Sequence, residues 1–189
     1  MKTFKTIISL FAITLFFSCS DNNDNPDMVN EEEVITTVTV TLIPNDNSAT
    51  ITLKSVDLDG DGPNTPTVTV SGDLSKFTTY NGAITFENES VSPTENITTE
   101  VLEEGDEHQV FFITSNDGFS TTYSDLDADG NPIGVSFSLA TNDYTGADTF
   151  TVILRHEPAK TNANVMEGDI TNAGGETDVE VAFPINIVS

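Results

Sequence analysis

Residues 34–43 read VITTVTVTLI, in which threonine alternates with valine, isoleucine and leucine. A period of two is typical of a β-strand with one apolar and one polar face. Similar apolar and polar alternation recurs at residues 50–56, 67–71, 83–86, 109–114, 119–123, 135–139, 150–155 and 179–188. Turn-forming clusters such as PNDNS, YNG, SNDG and TNDYTGAD separate the runs. Short strands at this spacing predict an all-β fold, an antiparallel Ig-like or Greek-key β-sandwich.

One segment departs from this period. Residues 92–95, SPTE, have the spacing of a capping box with proline at the first helical position. Ile97 and Val101 would then share one helix face, and Gly105 follows as a stop. The sequence therefore predicts a single short helix over residues 93–104.

The chain also contains an internal repeat. DLDGDG at 57–62 recurs as DLDADG at 125–130, and each copy is followed by a strand, a polar loop and another strand. A hairpin is expected before each copy. A half of about 70 residues cannot readily bury both faces of its strands. We therefore expect one domain over residues 34–189, built from two pseudo-repeats at 34–105 and 106–189, rather than two independent domains.

The N-terminus has the features of an export signal. Lys2 and Lys5 precede an apolar run at residues 7–17, which is too short to span a bilayer. The run ends in FSC at 17–19, which resembles a bacterial lipobox and implies a signal peptide over 1–18 and a lipidated Cys19. An ordinary signal peptide with a chance cysteine is the alternative.

An acidic tether follows at residues 19–33, and its SDNND stretch resembles the export signal of surface lipoproteins. The expected location is thus the outer membrane, lipid-anchored and facing the cell surface, with a periplasmic location as the alternative. Several acyl chains give stable anchoring.

The charge balance limits the partners. With 31 acidic and 6 basic residues the formal net charge is -25, so nucleic acid and anionic lipid headgroups would be repelled. One cysteine excludes a disulfide framework and Cys-rich metal sites. If every strand reverses direction, most of the acidic residues fall at one end of the sandwich. Such a cap is costly unless cations neutralise it.

Two kinds of cation site follow from these residues. The repeated Asp-x-Asp-x-Asp-Gly loops match the first half of a calcium loop, but each has no glutamate at its twelfth position. Weak Ca²⁺ binding and plain solvated turns are both open readings. The candidate Ca²⁺ ligands are Asp57, Asp59, Asp61, Asp125, Asp127 and Asp129.

The second site involves the two histidines of the chain, His108 and His156. Antiparallel alternation places both at the acidic end. Two imidazoles with carboxylates suit Zn²⁺, or Cu²⁺ or Ni²⁺. We predict both histidines as ligands, with Glu107, Glu157 or Asp178 completing the shell. The alternative is histidines that only form hydrogen-bonded pairs with the acids.

Several segments together resemble a group of small lipoproteins labelled type 1 periplasmic binding fold superfamily proteins. These segments are EEEVITTVTVTL, DLDGDGPNTPTVTVSG, TYNGAITFENE, EGDEHQVFF, LRHEP and GGETDVEV, within residues 31–183. The resemblance implies a lipoprotein that is accessory to a TonB-dependent outer-membrane receptor. The two-lobed α/β fold in the label does not match this chain, which shows no βαβ alternation.

Three classes of function follow. The first is a surface lipoprotein that captures a metal ion or a metal-bearing ligand for a receptor. The second is a structural or adhesion module that calcium stiffens. The third, an enzyme, is not expected, because the sequence has no nucleophile motif, phosphate-binding loop or zinc-protease signature.

Overall fold

The computed structural model of the chain describes residues 33–60 and 62–189. Within these residues, eleven strands form two β-sheets, and one α-helix lies in a connection between two strands. In chain order the elements are β1 (Thr37–Pro44), β2 (Ile51–Val56), β3 (Thr67–Val70), β4 (Leu74–Ser75), β5 (Thr79–Asn88), β6 (Glu95–Asn96), α1 (Ile97–Glu103), β7 (His108–Thr114), β8 (Phe119–Tyr123), β9 (Ser136–Thr141), β10 (Gly146–His156), a 3₁₀ turn (Ile170–Asn172) and β11 (Glu176–Val188).

The two sheets pack face to face. The first has the strand order β3-β2-β1-β5-β9-β8, with β6 added to β5, and the second has the order β4-β11-β10-β7. Neighbouring strands are antiparallel, except that the short β4 runs parallel to β11. The all-β antiparallel sandwich predicted from the period of two is therefore confirmed. All nine predicted strands are present, and only the two-residue β4 and β6 had no counterpart in the sequence pattern.

The core lies between the sheets and consists of alternate strand residues. In β1, Val38, Val40 and Leu42 are buried, and β10 and β11 supply similar series from the other sheet. The rings of Phe112 and Phe137 meet across the sheets, 4.4 Å apart. Burying one such side chain contributes about 1.5–3 kcal/mol. The alternation seen in the sequence is therefore the main source of cohesion between the sheets.

Strand β7 is buried on both faces, unlike most other strands. Val110 faces the main core, whereas Phe111 packs on the outer side with Ile153, Val165 and Ala173. The chain after β10 thus covers the outer face of the second sheet. The first residue of β7, His108, lies on the same face as Val110 and is also fully buried.

The internal repeat is visible in the strand pairing. The strands that flank the first Asp loop, β2 and β3, are antiparallel neighbours, as are β8 and β9 around the second. Likewise β1 pairs with β5, and β7 pairs with β10. The predicted second hairpin is wrong, because β7 and β8 lie in opposite sheets whereas β1 and β2 pair directly. Apolar side chains on both faces of β7 draw it into the second sheet.

The helix is shorter than the predicted 93–104. Glu95 pairs with Asn88 as part of β6, so it cannot close a capping box with Ser92, and α1 begins at Ile97. The hydroxyl of Thr98 instead accepts a hydrogen bond from the backbone N–H of Phe86 and donates one to its carbonyl. Pairing with β5 therefore outweighs the local helix-start pattern.

No helix in the described part of the chain has the length and apolar character needed to cross a membrane. Residues 1–32, which include the predicted signal peptide, Cys19 and nearly all of the predicted tether, lie outside the described residues.

Candidate metal centre

Four metal-ligating side chains meet at one end of the sandwich. They are Glu33, just before β1, His108 at the start of β7, His156 at the end of β10, and Asp178 near the start of β11. One ligand atom from each lies within 4.8 Å of all the others. The side chains of all four are at least nine-tenths buried. Residues far apart in sequence thus form one compact group.

Strand register explains why three of them meet. His156 is paired with His108 on one side and with Glu176 on the other, so all three strands start or end at the same edge. The register of β10 and β11 then shifts between Leu154 and Arg155, which leaves Asp178 as an extra residue. Such a bulge redirects a side chain relative to regular alternation. It turns Asp178 toward the histidines.

The imidazole of His108 is held in one orientation. Its Nδ1 lies 3.1 Å from the carbonyl oxygen of Glu104, and a carbonyl can only accept, so Nδ1 carries the proton. Its Nε2 lies 2.9 Å from Oε1 of Glu33. When protonated, Nε2 donates to this carboxylate, and when neutral it presents a lone pair to the group. A backbone carbonyl on the distal nitrogen is a usual support for a metal-ligating histidine.

His156 connects two groups of carboxylates. Its Nδ1 lies 3.5 Å from Oε2 of Glu33 and 3.9 Å from Oδ1 of Asp178. Its Nε2 lies 3.7 Å from Oε2 of Glu107, on the exposed side. The two imidazole rings are 4.7 Å apart and meet edge to face. With a metal ion on Nδ1, the Nε2–H would face Glu107, as in carboxylate–histidine–metal arrangements.

The charges of this group require compensation. Two carboxylates buried side by side are costly unless positive charge accompanies them. Two imidazolium rings supply two positive charges, and so does one divalent ion between neutral imidazoles. Within the described residues Oε2 of Glu33 is buried and makes no hydrogen bond, and it faces Nδ1 of His156 at 3.5 Å.

The surroundings are also negative. Burial raises the pKa of Glu100 on α1, and the carboxylates of Glu33, Glu104 and Glu95 raise it further. The charge of His108 acts in the opposite direction and lowers this pKa, so the histidine partly offsets the repulsion among the carboxylates at this end of the sandwich. A cation is drawn toward such a group of carboxylates.

The spacing of the ligand atoms suits a small divalent ion. Nε2 of His108 lies 2.9 Å from Oε1 of Glu33 and 3.9 Å from Oδ2 of Asp178, whereas Nδ1 of His156 lies 3.5 Å from Oε2 of Glu33 and 3.9 Å from Oδ1 of Asp178, so each histidine contacts a different oxygen of each carboxylate. A tetrahedral Zn²⁺ ion with ligands at about 2.0–2.2 Å has edges of about 3.3–3.6 Å. One ligand atom from each residue lies within 4.8 Å of the others, so the side chains would have to close in around such an ion. Two imidazole nitrogens and two carboxylate oxygens also belong to the ligand types that Zn²⁺ accepts.

The structure brings together three of the five predicted transition-metal residues in this buried group: His108, His156 and Asp178. The other two, Glu107 and Glu157, form a second group with His156 on its exposed side. Glu33 was not among the predicted ligands. The only signal for it was its place in the EEE run before the first strand, where nothing in the sequence selects one glutamate of the three.

The second predicted calcium loop is held by groups of the protein itself. Asp125 accepts hydrogen bonds from the backbone N–H groups of Gly134 and Ser136, at 2.7 and 2.8 Å. Asp127 accepts from the buried ammonium of Lys160 at 2.9 Å. Burial raises the pKa of Asp127, but hydrogen bonds from Lys160 and Asn131 outweigh it and leave the pKa lowered. The ammonium group thus neutralises Asp127, which was predicted to face Ca²⁺, while Asp129 lies exposed beside it.

The first calcium loop is only partly described, because Asp61 lies outside the described residues. Asp59 accepts hydrogen bonds from the backbone and side chain of Asn64, at 3.3 and 2.8 Å. Oδ1 of Asp57 is buried and makes no hydrogen bond to the described residues. Calcium binding by this loop stays a prediction.

Comparisons with models of protein families, with curated proteins and with solved structures found no match to this chain. The site therefore has to be interpreted from its own geometry.

Proposed function

We propose that this protein reversibly binds a divalent transition-metal ion, best Zn²⁺, through Glu33, His108, His156 and Asp178. The observation that carries the proposal is the convergence of these four buried side chains within ligand distance of one another. Cu²⁺ and Ni²⁺ accept similar nitrogen and oxygen ligands, so a competition between metals decides the order of preference.

The ligand count supports binding rather than catalysis. A catalytic zinc ion keeps a position open for water or substrate, whereas four protein ligands close the shell. Imidazolium rings can also replace the charge of the ion, so the protein can stay folded when the metal leaves. Proton-linked release suits a carrier that gives up its ion.

We further propose that the protein acts at the outer membrane as a lipoprotein anchored through Cys19, accessory to a TonB-dependent receptor. The lipobox-like FSC, the SDNND stretch and the resemblance to small receptor-associated lipoproteins support this placement. The experiment is fractionation of cells that express wild type or Cys19→Ala, followed by protease treatment of intact cells. The substitution should move the protein out of the outer-membrane fraction, and full protection of the wild type in intact cells would refute surface exposure.

The other function predicted from the sequence, a structural or adhesion module stiffened by calcium, has less support. Lys160 already neutralises Asp127 of the second loop, and Asp125 holds backbone N–H groups. Only the first loop keeps a buried carboxylate oxygen, on Asp57, without a described hydrogen bond.

Zinc calorimetry tests the binding proposal directly. Wild type, His108→Ala, His156→Ala and a matched control, Glu103→Gln on the exposed face of α1, are titrated after thermal melts show that each is folded. We expect one Zn²⁺ per chain in wild type and control, and an affinity lowered at least about 100-fold in each histidine variant. Equal affinity in all four proteins would refute the site.

A further inference from the structure

The last strand leaves one long edge open. β11 pairs with β10 from Glu176 to Ile187, apart from the bulge at Asp178, but on its other side β4 covers only Ile187 and Val188. In the described residues no strand pairs with this side of Glu176–Asn186. The outer edge of β7, by contrast, is closed where Val110 donates to the carbonyl of Ile133. An open edge is a template for pairing with another chain.

The C-terminal end of β11, where it pairs with β4, shows which of its residues point their backbone N–H and C=O groups to the open side. The carbonyl of Val188 accepts a hydrogen bond from the N–H of Lys76, so the backbone of Val188 points away from β10. Every second residue upstream therefore also points its N–H and C=O to the open side. Pro184 occupies one of these positions, as expected for a residue without an N–H on an edge strand. The residues in this series are Glu180, Ala182, Pro184 and Asn186.

A cleft runs beside this edge. It has a volume of about 250 Å³ and lies between β11 and the β1–β3 side of the other sheet. Its walls are largely apolar, with Ile35, Val68, Val179 and Val181 among them. β3 is itself the last strand of its sheet, so the cleft lies between the edges of the two sheets on this side.

Carboxylates border the same cleft. Asp57 lines it with a buried oxygen that makes no hydrogen bond to the described residues, and the exposed Glu180 stands on the edge strand itself. A strand added here would place alternate side chains in the cleft and the others beside Glu180. Apolar residues fit the first set of positions and basic residues fit the second.

We infer that the β11 edge binds an extended segment of another protein by β-strand addition, and that this segment alternates apolar and basic residues. The charge argues against a second copy of this chain, because the net charge of -25 makes two copies repel. It also argues against the chain's own residues 20–33, which contain no basic residue. This inference does not depend on the proposed metal site.

A synthetic peptide tests the inference. The probe is an acetylated and amidated peptide of alternating valine and lysine, about eight residues long to span the positions from Glu180 to Asn186. Its binding to the full chain is measured by fluorescence anisotropy, and backbone amide exchange is measured with and without peptide. A scrambled peptide that carries all valines before all lysines controls for charge alone.

Two protein variants complete the test. Ala182→Pro removes one N–H from the open edge without touching the β10 ladder, and Glu103→Lys changes a charge far from the edge in sequence. We expect Ala182→Pro to weaken binding about tenfold, the effect of one lost edge position, and Glu103→Lys to leave it unchanged. The amides of Glu180 and Ala182 should become protected by the peptide, whereas that of Phe183, which is paired with Phe150 of β10, should exchange slowly with or without peptide.

Three outcomes would overturn the inference. These are no binding of the alternating peptide, equal binding of the scrambled peptide, and binding that leaves the amides of Glu180 and Ala182 unprotected. If Ala182→Pro does not fold, Glu180→Lys replaces it, and unchanged binding by this variant would count against the inference in the same way.

Discussion

Nε2 of His108 and Oε1 of Glu33 lie 2.9 Å apart although 75 positions separate the two residues in the chain. This contact joins the segment before β1 to the start of β7, which belongs to the other sheet. The metal group therefore assembles only when both sheets are in place, and an ion bound there would stabilise the folded chain over the unfolded one.

Glu33→Gln tests the ligand that the sequence pattern did not identify. Removing one of two buried carboxylates takes away a ligand charge. Zn²⁺ affinity should therefore fall at least about tenfold, because changing even a group that only supports a metal ligand usually costs that much. Calorimetry measures the change, with Glu103→Gln as the matched control. An unchanged affinity would exclude Glu33 from the shell and leave the histidines and Asp178.

Acid should weaken zinc binding. Neutral imidazole is the ligand, so protons compete with Zn²⁺ for the ring nitrogens and the apparent affinity should fall as the pH is lowered. Calorimetry at several pH values, in two buffers with different ionisation enthalpies, counts the protons released. An affinity that does not change across the acidic range would contradict ligation by His108 and His156.

Asp148 should stabilise the turn after β7. Its buried carboxylate accepts hydrogen bonds from the N–H groups of Ser115, Asn116 and Gly118, and from the hydroxyl of Thr114. Asp148→Asn places an amide against these donors and should cost about 2–4 kcal/mol in denaturant unfolding at neutral pH. Asp143→Asn, an exposed change at the same end, should cost less than about 1 kcal/mol.

The stabilisation by Asp148 should depend on pH. Burial raises the pKa of Asp148, but hydrogen bonds from Thr114 and Ser115, among others, outweigh it and leave the pKa below the ordinary 3.8. Because the folded pKa lies below the unfolded one, these bonds contribute fully above the ordinary value and are lost as the pH falls through the folded value. The difference between wild type and Asp148→Asn should therefore shrink in acid. A constant difference down to the acid-unfolding range would argue against this origin.

Lys160 should behave as a structural cation. Its ammonium is buried and donates to Asp127 and to the carbonyl oxygens of Gly105 and Pro132. Lys160→Met leaves Asp127 without its ion pair and should cost about 3–5 kcal/mol. Lys76→Met breaks an exposed pair with Asp143 and an exposed cation–π contact with Phe77, and should cost about 1 kcal/mol or less. Equal losses of unfolding free energy in urea would show that the buried ion pair stabilises the fold no more than the exposed one.

The strands and the edge at which they end could be predicted from the sequence. The period of two marks nine strands, and strict alternation of direction places His108 and His156 at the same end. Both inferences depend on local pattern and on a simple topological rule, which antiparallel sheets follow.

Other features depend on contacts that the local pattern does not encode. The register shift at Leu154 and Arg155 redirects Asp178, and no single residue in β11 indicates this shift in the sequence. Lys160 reaches Asp127 across 33 positions, so the loop motif alone suggests a calcium site where a lysine already supplies the charge. The division of β7 and β8 between sheets depends on a second cluster around Phe111, which forms only in three dimensions.

The position of Glu33 has a mechanical consequence. Glu33 precedes β1 in the chain, and its contact with His108 comes before the first ladder pair of β1. Tension applied through residue 32 would therefore load the contacts of Glu33 before it loads the β1–β5 pairing. An ion held between Glu33, the histidines and Asp178 would cross-link the chain at the position where the force is applied. The rate of its release would therefore depend on force.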